Sequence, residues 1–371
     1  MDKNTTYRIL IGGGGTGGHV FPAIAIADAL KEKEPSARFL FVGAKGRLEM
    51  EKVPEAGYPI EGLPVAGFQR RVTLKNVTFF YKLLMSMRKS RQIVTRFRPH
   101  AAVGVGGYAS GPILRAAARK KIPILIQEQN SYAGVTNRLL ARSARTICVA
   151  YEGMERYFPA EKIVFTGNPV RRNLTESGLD RQSSMKKFDL DPGKKVCLVI
   201  GGSLGARSLN RGMLAGLERL NREDLQILWQ CGKLYFDEVT AAVRESGLTN
   251  VVVRAFISEM EHAYAAADVI ISRAGALTIS ELCLVGKPVI LVPSPNVAED
   301  HQTRNAETLA SKRAALMIPD QQVTDKLVDQ MLNLIQDSTL QEELSTEIRT
   351  FGRADASGQI ASEVLKMIEK S

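Results

Sequence analysis

The chain is poor in residues that build covalent or metal frameworks: its 371 residues include four cysteines, four histidines and one tryptophan. Cys148, Cys197, Cys231 and Cys283 lie far apart, mostly in apolar segments, and no CxxC occurs. Neither a disulfide scaffold nor a metal site is expected, and a reducing cytoplasm is the expected compartment. No apolar run approaches the ~18 residues of a membrane-spanning helix. Met1 to Thr6 is short and polar, unlike a signal peptide. The absence of GxxxxGK followed by Ser or Thr excludes a P-loop NTPase. Acid is missing from one long stretch: no Asp or Glu falls between Glu61 and Glu128, where thirteen Lys and Arg fall. Residues 1–168 carry 26 basic and 12 acidic side chains, against 24 and 27 in the remainder. The first half should therefore face something anionic: a membrane surface, nucleic acid or a phosphorylated substrate.

What the chain does contain is alternation. Its 44% hydrophobic and 24% charged residues are those of a soluble globular protein, and its length suits two domains. Strand and helix signals follow one another almost throughout, which predicts α/β architecture with parallel sheets covered by helices. Strands are expected near 7–11, 38–42, 58–62, 101–105, 123–127, 146–149 and 162–165. Thr166-Gly-Asn-Pro-Val170 is turn-rich and a candidate hinge. The pattern then restarts, with strands near 195–200, 225–230, 251–254, 269–272, 288–292 and 315–318. Helices are expected at 23–30, at 209–220, over 324–352 with a break, and at 358–370. Both halves open with a strand, a glycine loop and a helix. Two doubly wound, Rossmann-like domains facing across a cleft would hold a ligand between the carboxyl ends of their strands.

The organising stretch is Ile9-Leu-Ile-Gly-Gly-Gly-Gly-Thr-Gly-Gly-His19. Glycines between a strand and a helix let a ligand approach the backbone, and the helix start offers N–H groups to an anion. Gly13 to Gly18 matches GxGxxG, but no acidic residue ends the second strand, as a ribose diol would want. Lys45 and Arg47 there leave an NADP oxidoreductase open, alongside purely structural glycines. His19, where loop becomes helix, is either a packed residue or a base for a hydroxyl proton; an unperturbed pKa near ~6.5 suits that task. Gly104 to Gly111 and Gln127-Glu-Gln-Asn130 follow strands on the same rim. Glu128 there can accept a proton and Asn130 can bind a sugar hydroxyl, or both merely close a loop. In the second half, Gly201 to Arg207 sets Ser203 and backbone amides at a helix start. Amides around Gly275 to Thr278 can hold a diphosphate, and Glu281, ~9 Å further along a helix axis, can reach a ribose diol. Gln302, opening a later helix, can reach a sugar; His301 reads as surface or packing.

Apolar residues crowd Val72 to Met87 among cations. Leu74, Lys75, Phe79, Phe80, Lys82, Leu84 and Arg88 read as an interfacial patch for an anionic membrane, the alternative being a helix buried on two sides. A nucleic-acid face is not expected, because polar base-reading and stacking groups are lacking.

Taken together, Gly13 to Pro22, Gly106 to Pro112, Glu128-Gln-Asn130, Gly167-Asn-Pro-Val-Arg171, Gly201 to Ala206 and Arg273 to Glu281 resemble the MurG family of bacterial N-acetylglucosaminyltransferases, collinearly over almost the whole chain. The resemblance implies a GT-B fold with an acceptor- and membrane-binding domain at 1–168 and a UDP-GlcNAc-binding domain at 169–352. The segment 353–371 is expected to pack back on the first domain. It implies donor-binding roles for Thr16, Gly17, Gly18, Asn130, Arg171, Ser203, Ile257, Ala276, Leu277, Thr278, Ile279, Ser280, Glu281 and Gln302, with the Ile257 backbone meeting uracil. The family commonly has His where this chain has Gln127, which favours His19 as the base, with Glu128 second. Transfer of N-acetylglucosamine from UDP-GlcNAc to lipid I, giving lipid II, is the implied reaction, without an obligatory metal or other cofactor. The implied setting is the cytoplasmic face of the cell membrane, with other cell-wall synthesis and division proteins as partners. Among activities outside this family, an NADP oxidoreductase and a nucleotide-binding module without chemistry remain the alternatives.

Overall fold

Short runs of Val, Ile, Leu and Ala pair into two parallel sheets in the computed structural model, which describes residues 6–65, 75–170, 178–202, 204–297 and 300–370, with only the backbone for 75–80. The chain divides into two compact units, Met1–Val170 with Asp355–Ser371, and Arg171–Ala354.

The first unit holds β1 (Arg8–Gly12), β2 (Arg38–Ala44), β3 (Ile60–Leu63), β4 (Ala101–Gly104), β5 (Ile124–Glu128), β6 (Thr146–Val149) and β7 (Ile163–Phe165), in the spatial order β3-β2-β1-β4-β5-β6-β7. Every pairing is parallel. Strand order reverses between β1 and β4, so the loops after these strands flank the point where open α/β sheets bind ligands. The helices α1 (Gly17–Lys33), α2 (Glu49–Glu55), α3 (Lys75–Phe97), α4 (Ser110–Arg119) and α5 (Val135–Leu140) connect them.

Helix α1 begins six residues before the expected 23–30 and contains Pro22. A proline at that position forfeits only a hydrogen bond to the carbonyl of Gly18, which lies at the exposed first turn where water can replace it. The terminal helix Ala356–Glu369 sends Ile360, Ala361, Val364, Met367 and Ile368 into the core formed by Ile9, Ile11, Ile26 and Leu30. That spacing is one face of a helix, and each larger side chain contributes roughly 1.5–3 kcal/mol. Arg145 caps its end, donating to the carbonyls of Met367 (3.5 Å) and Lys370 (3.3 Å).

The second unit holds β8 (Lys195–Ile200), β9 (Leu225–Gln230), β10 (Val251–Arg254), β11 (Val269–Ser272), β12 (Val289–Leu291) and β13 (Leu316–Met317), ordered β10-β9-β8-β11-β12-β13 and all parallel. The reversal here lies between β8 and β11. The expected helix 209–220 is instead Arg207–Ala215 followed by a 3₁₀ turn, Leu217–Leu220. Gly216 separates the two, at a point where the helix Val323–Gln336 packs so close that a Cβ would sit 2.4 Å from Val328 Cγ2. The four cysteines are free and buried, and burial pushes their thiols up, Cys283 to about 12 and Cys231 to about 11. Such thiols are inert packing groups.

Candidate functional site

In the first unit the site grows from the loops after β1, β4 and β5. His19 lies in the first turn of α1, half-buried, with Nδ1 3.2 Å from Thr16 Oγ1. With Nδ1 protonated and donating to that hydroxyl, Nε2 carries the lone pair. The ring rests on the loop after β4: a Cβ on Gly106 would come within 2.7 Å of His19 Cδ2 and Nε2. The neighbouring Gly107 approaches the Gly14 carbonyl so closely that a Cβ would lie 2.1 Å from its oxygen. Glycines at 106 and 107 thus let the two loops and the imidazole pack in contact. Thr16 and Gly18 are exposed and Gly17 is half-buried, all within the same turn.

Glu128 ends β5 and is buried. Its Oε1 accepts from Asn130 N (3.1 Å) and Nδ2 (3.3 Å), and its Oε2 from Gly134 N (3.0 Å) and Asn137 Nδ2 (2.8 Å). Burial pushes this carboxyl above its ordinary value, while the Asn130, Asn137 and Gly134 donors pull the other way. Both oxygens are thus engaged in shaping the loop that carries Asn130. Gln127 and Gln129 are also buried. Gln127 Nε2 donates to Asn168 Oδ1 (2.9 Å), Gln129 Nε2 donates to the Val105 carbonyl (2.7 Å) and to Gln127 Oε1, and Asn168 Nδ2 donates to the Gln129 carbonyl (3.0 Å). Position 127 therefore serves this amide network, which fastens the 166–170 turn to the strand ends.

In the second unit, helix Ala276–Val285 starts immediately after the loop following β11, and no acidic side chain lies in its first turn. Ala276, Leu277 and Thr278 occupy that turn and are half-buried. Ile279 is buried, and Ser280 bonds back to the Ala276 carbonyl (3.1 Å). Glu281 is buried one turn further on and accepts from the Tyr264 hydroxyl (3.2 Å). A cavity of about 570 Å³ opens at the strand ends, lined by Gly201, Gly205, Arg207, Arg273 and Gln302 among others. That volume is typical of small-molecule sites. Gln302 is held by Ser294 N, which donates to its Oε1 (2.9 Å). Arg273 is fixed by Asp320 (2.6 Å), the Ser208 hydroxyl (2.6 Å) and the Val292 carbonyl (3.1 Å). Ile257 is buried and its N–H is committed to Gln230 Oε1 (2.9 Å); neither it nor Glu281 lines the cavity. Phe256, beside Ile257, leaves an aromatic face exposed that the sequence pattern did not single out.

Arg171, Ser203 and Leu74 lie outside the described residues, as do the side chains of Lys75, Phe79 and Phe80. The rest of α3 is informative. Ser86, Ser90, Ile93 and Val94 are buried, whereas Tyr81, Lys82, Leu83, Leu84 and Met85 are five consecutive exposed residues. Arg88 is exposed as well, and Leu84 exposes 69% of its surface. The stretch Tyr81 to Met85 of this helix therefore stands clear on all sides. Among the described residues no helix is long and apolar enough to cross a membrane.

Residues 9–149 match the glycosyltransferase family 28 N-terminal domain, and residues 196–360 its C-terminal domain. A Phocaeicola vulgatus protein named UDP-N-acetylglucosamine–N-acetylmuramyl-(pentapeptide) pyrophosphoryl-undecaprenol N-acetylglucosamine transferase is 55% identical over all of this chain and 98% of its own length. A Bacteroides fragilis protein of the same name is 54% identical over 100% and 98%. The crystal structure of Acinetobacter baumannii MurG superposes with a TM-score of 0.80 at 30% identity, covering 97% of this chain and 99% of that one. The chain belongs to the MurG family. Its two parallel-sheet units are the GT-B architecture of that family. Within this MurG-family chain, sequence reasoning passed over one buried carboxylate, Glu49. Its place beside the first glycine loop comes from a contact 34 residues away, which no local pattern announces.

Proposed function

We infer that the chain is an inverting N-acetylglucosaminyltransferase that moves N-acetylglucosamine from UDP-GlcNAc to the C4 hydroxyl of the N-acetylmuramoyl unit of lipid I, giving lipid II. The observation that carries this reading is identity above half, end to end, with a transferase of that name. In the step itself, the C4 oxygen forms a bond to C1 of the donor sugar as the bond from C1 to the diphosphate oxygen breaks. UDP leaves with the electron pair, and the hydroxyl proton passes to His19 Nε2.

The residue roles follow from local chemistry. Amides of the first turn of Ala276–Val285, together with Arg171 and Ser203, meet the diphosphate charge that grows as UDP departs. Glu281 accepts from the ribose diol, Ile257 offers its backbone to uracil, and Gln302 binds the sugar at the cavity. Thr16, Gly17, Gly18 and Asn130 are the first unit's donor-binding residues, with Glu128 shaping the Asn130 loop and standing second to His19 as base. Holding both substrates together removes much of the barrier. Release of UDP on mixing UDP-GlcNAc with a lipid I analogue tests the activity. No UDP release with lipid I, alongside saturable NADPH binding, would favour an oxidoreductase.

We further propose that α3, through its exposed stretch from Tyr81 to Met85, holds the chain on the cytoplasmic face of an anionic membrane. Exposed Tyr81, Leu83, Leu84 and Met85 beside Lys82 and Arg88 support this, since each cation near an anionic leaflet contributes about 1 kcal/mol. Changing Phe79, Phe80 and Leu84 together to polar residues is expected to abolish flotation with phosphatidylglycerol vesicles while activity on a soluble acceptor persists. Undiminished flotation refutes the patch.

A further inference from the structure

Glu49 opens α2, yet its side chain is 1% exposed and turns inward onto the first glycine loop. Its Oε2 accepts from Gly15 N (2.9 Å) and its Oε1 from Ala44 N at the end of β2 (2.8 Å). One carboxylate therefore clamps the loop after β1 to the strand beside it. Both neighbours are glycine for a steric reason. A Cβ on Gly14 would lie 2.1 Å from Glu49 Oε1, and one on Gly43 would lie 2.4 Å from Glu49 Cγ. Gly14 (φ +137°) and Gly15 (φ +98°) adopt backbone conformations that side chains rarely reach, so the loop needs an external hold to keep this shape. On its other side the loop meets Gly107, and one residue before Gly107 the His19 ring rests on Gly106. The loop that ends in Thr16, the hydrogen-bond partner of His19, is thus gripped between Glu49 and the turn after β4.

We propose that Glu49 is a positioning residue for the transfer: its carboxylate holds the Gly13–Gly18 loop in the one form that aims His19 at the acceptor hydroxyl. This rests on His19 being the base. Glu49, at 1% exposed, presents no surface to a substrate, and donor binding is assigned mainly to the other unit, so its removal acts chiefly on kcat. Glu49→Gln is the sharpest substitution, because it keeps the shape but sets an NH₂ group against one of the two backbone N–H donors.

The test is a double-mutant cycle with His19→Ala, measuring kcat, KM for UDP-GlcNAc and thermal melting for all four proteins. Glu49→Gln alone is expected to lower kcat about 10- to 100-fold, the size of a small misplacement of a reacting group. KM for UDP-GlcNAc should stay within about twofold (below 0.5 kcal/mol at 1.4 kcal/mol per decade), and in the His19→Ala background the same change should do nothing more. If Glu49→Gln does not fold, Glu49→Asp, which withdraws the same carboxylate by one methylene, carries the same expectation. An unchanged kcat overturns the proposal, as does an equal loss in both backgrounds, or a loss of kcat matched by a loss of donor affinity. Near-normal turnover in His19→Ala alone overturns the base assignment and this proposal with it. A dead His19→Ala beside a fully active Glu49→Gln overturns the positioning role only.

Discussion

His19→Ala lowers kcat by about 10²- to 10⁴-fold, the range for loss of a general base, and leaves KM for UDP-GlcNAc nearly unchanged. The acceptor hydroxyl is a poor nucleophile until its proton has somewhere to go. On this assignment the imidazole supplies that place through Nε2, while Nδ1, 3.2 Å from Thr16 Oγ1, donates to that hydroxyl. Glu128 is the only other candidate singled out, and its two oxygens already accept four hydrogen bonds that shape the Asn130 loop. Donor binding is assigned mainly to the second unit, and His19 is not among the donor-binding residues of the first, so losing its imidazole should weaken that binding little. Steady-state kinetics on a lipid I analogue, with UDP release as the readout, separates the two parameters. Near-normal turnover in the variant eliminates His19 as the base.

The second large effect is expected at Glu281. Glu281→Ala should weaken UDP binding by roughly 10- to 100-fold, corresponding to about 1.5–3 kcal/mol for hydrogen bonds to a charged group. The carboxylate is buried one turn inside the helix Ala276–Val285 and oriented by the Tyr264 hydroxyl (3.2 Å). A ribose diol donating to it would replace water at little cost in side-chain freedom. Titration calorimetry with UDP and with 2′,3′-dideoxy-UDP sharpens the test. The wild type should prefer UDP, and the variant should bind both alike. Unchanged affinity for UDP in Glu281→Ala removes the ribose role.

The strands were readable because sheets covered on both faces need continuous apolar runs, as in Val196-Cys-Leu-Val-Ile200, where all five residues are buried. Helix boundaries were less readable. Proline is enriched at the first position of helices, yet α1 begins five residues before Pro22, and Gly18, four residues before the proline, is exposed. The helix ends at Gly216, where Val328, more than a hundred residues away, leaves no room for a Cβ, a packing demand that no window of sequence contains. The site divides in the same way. Glycine loops after β1 and β8 and the helix start after β11 could be found from strand–glycine–helix order alone. Glu49 could not, because an acidic residue opening a short helix is ordinarily an exposed helix-dipole group. Apolar residues among cations over 72–87 fit both a membrane patch and a helix buried on two sides, and pattern alone does not say which; Tyr81 to Met85 are exposed.

The most direct measurement is a crystal structure of the protein with UDP-GlcNAc. The diphosphate should lie against the amides of Gly275 to Thr278, with the ribose at Glu281 and the sugar at Gln302. Nucleotide density that settles anywhere other than beside Gly275 to Glu281 contradicts this assignment of the donor site.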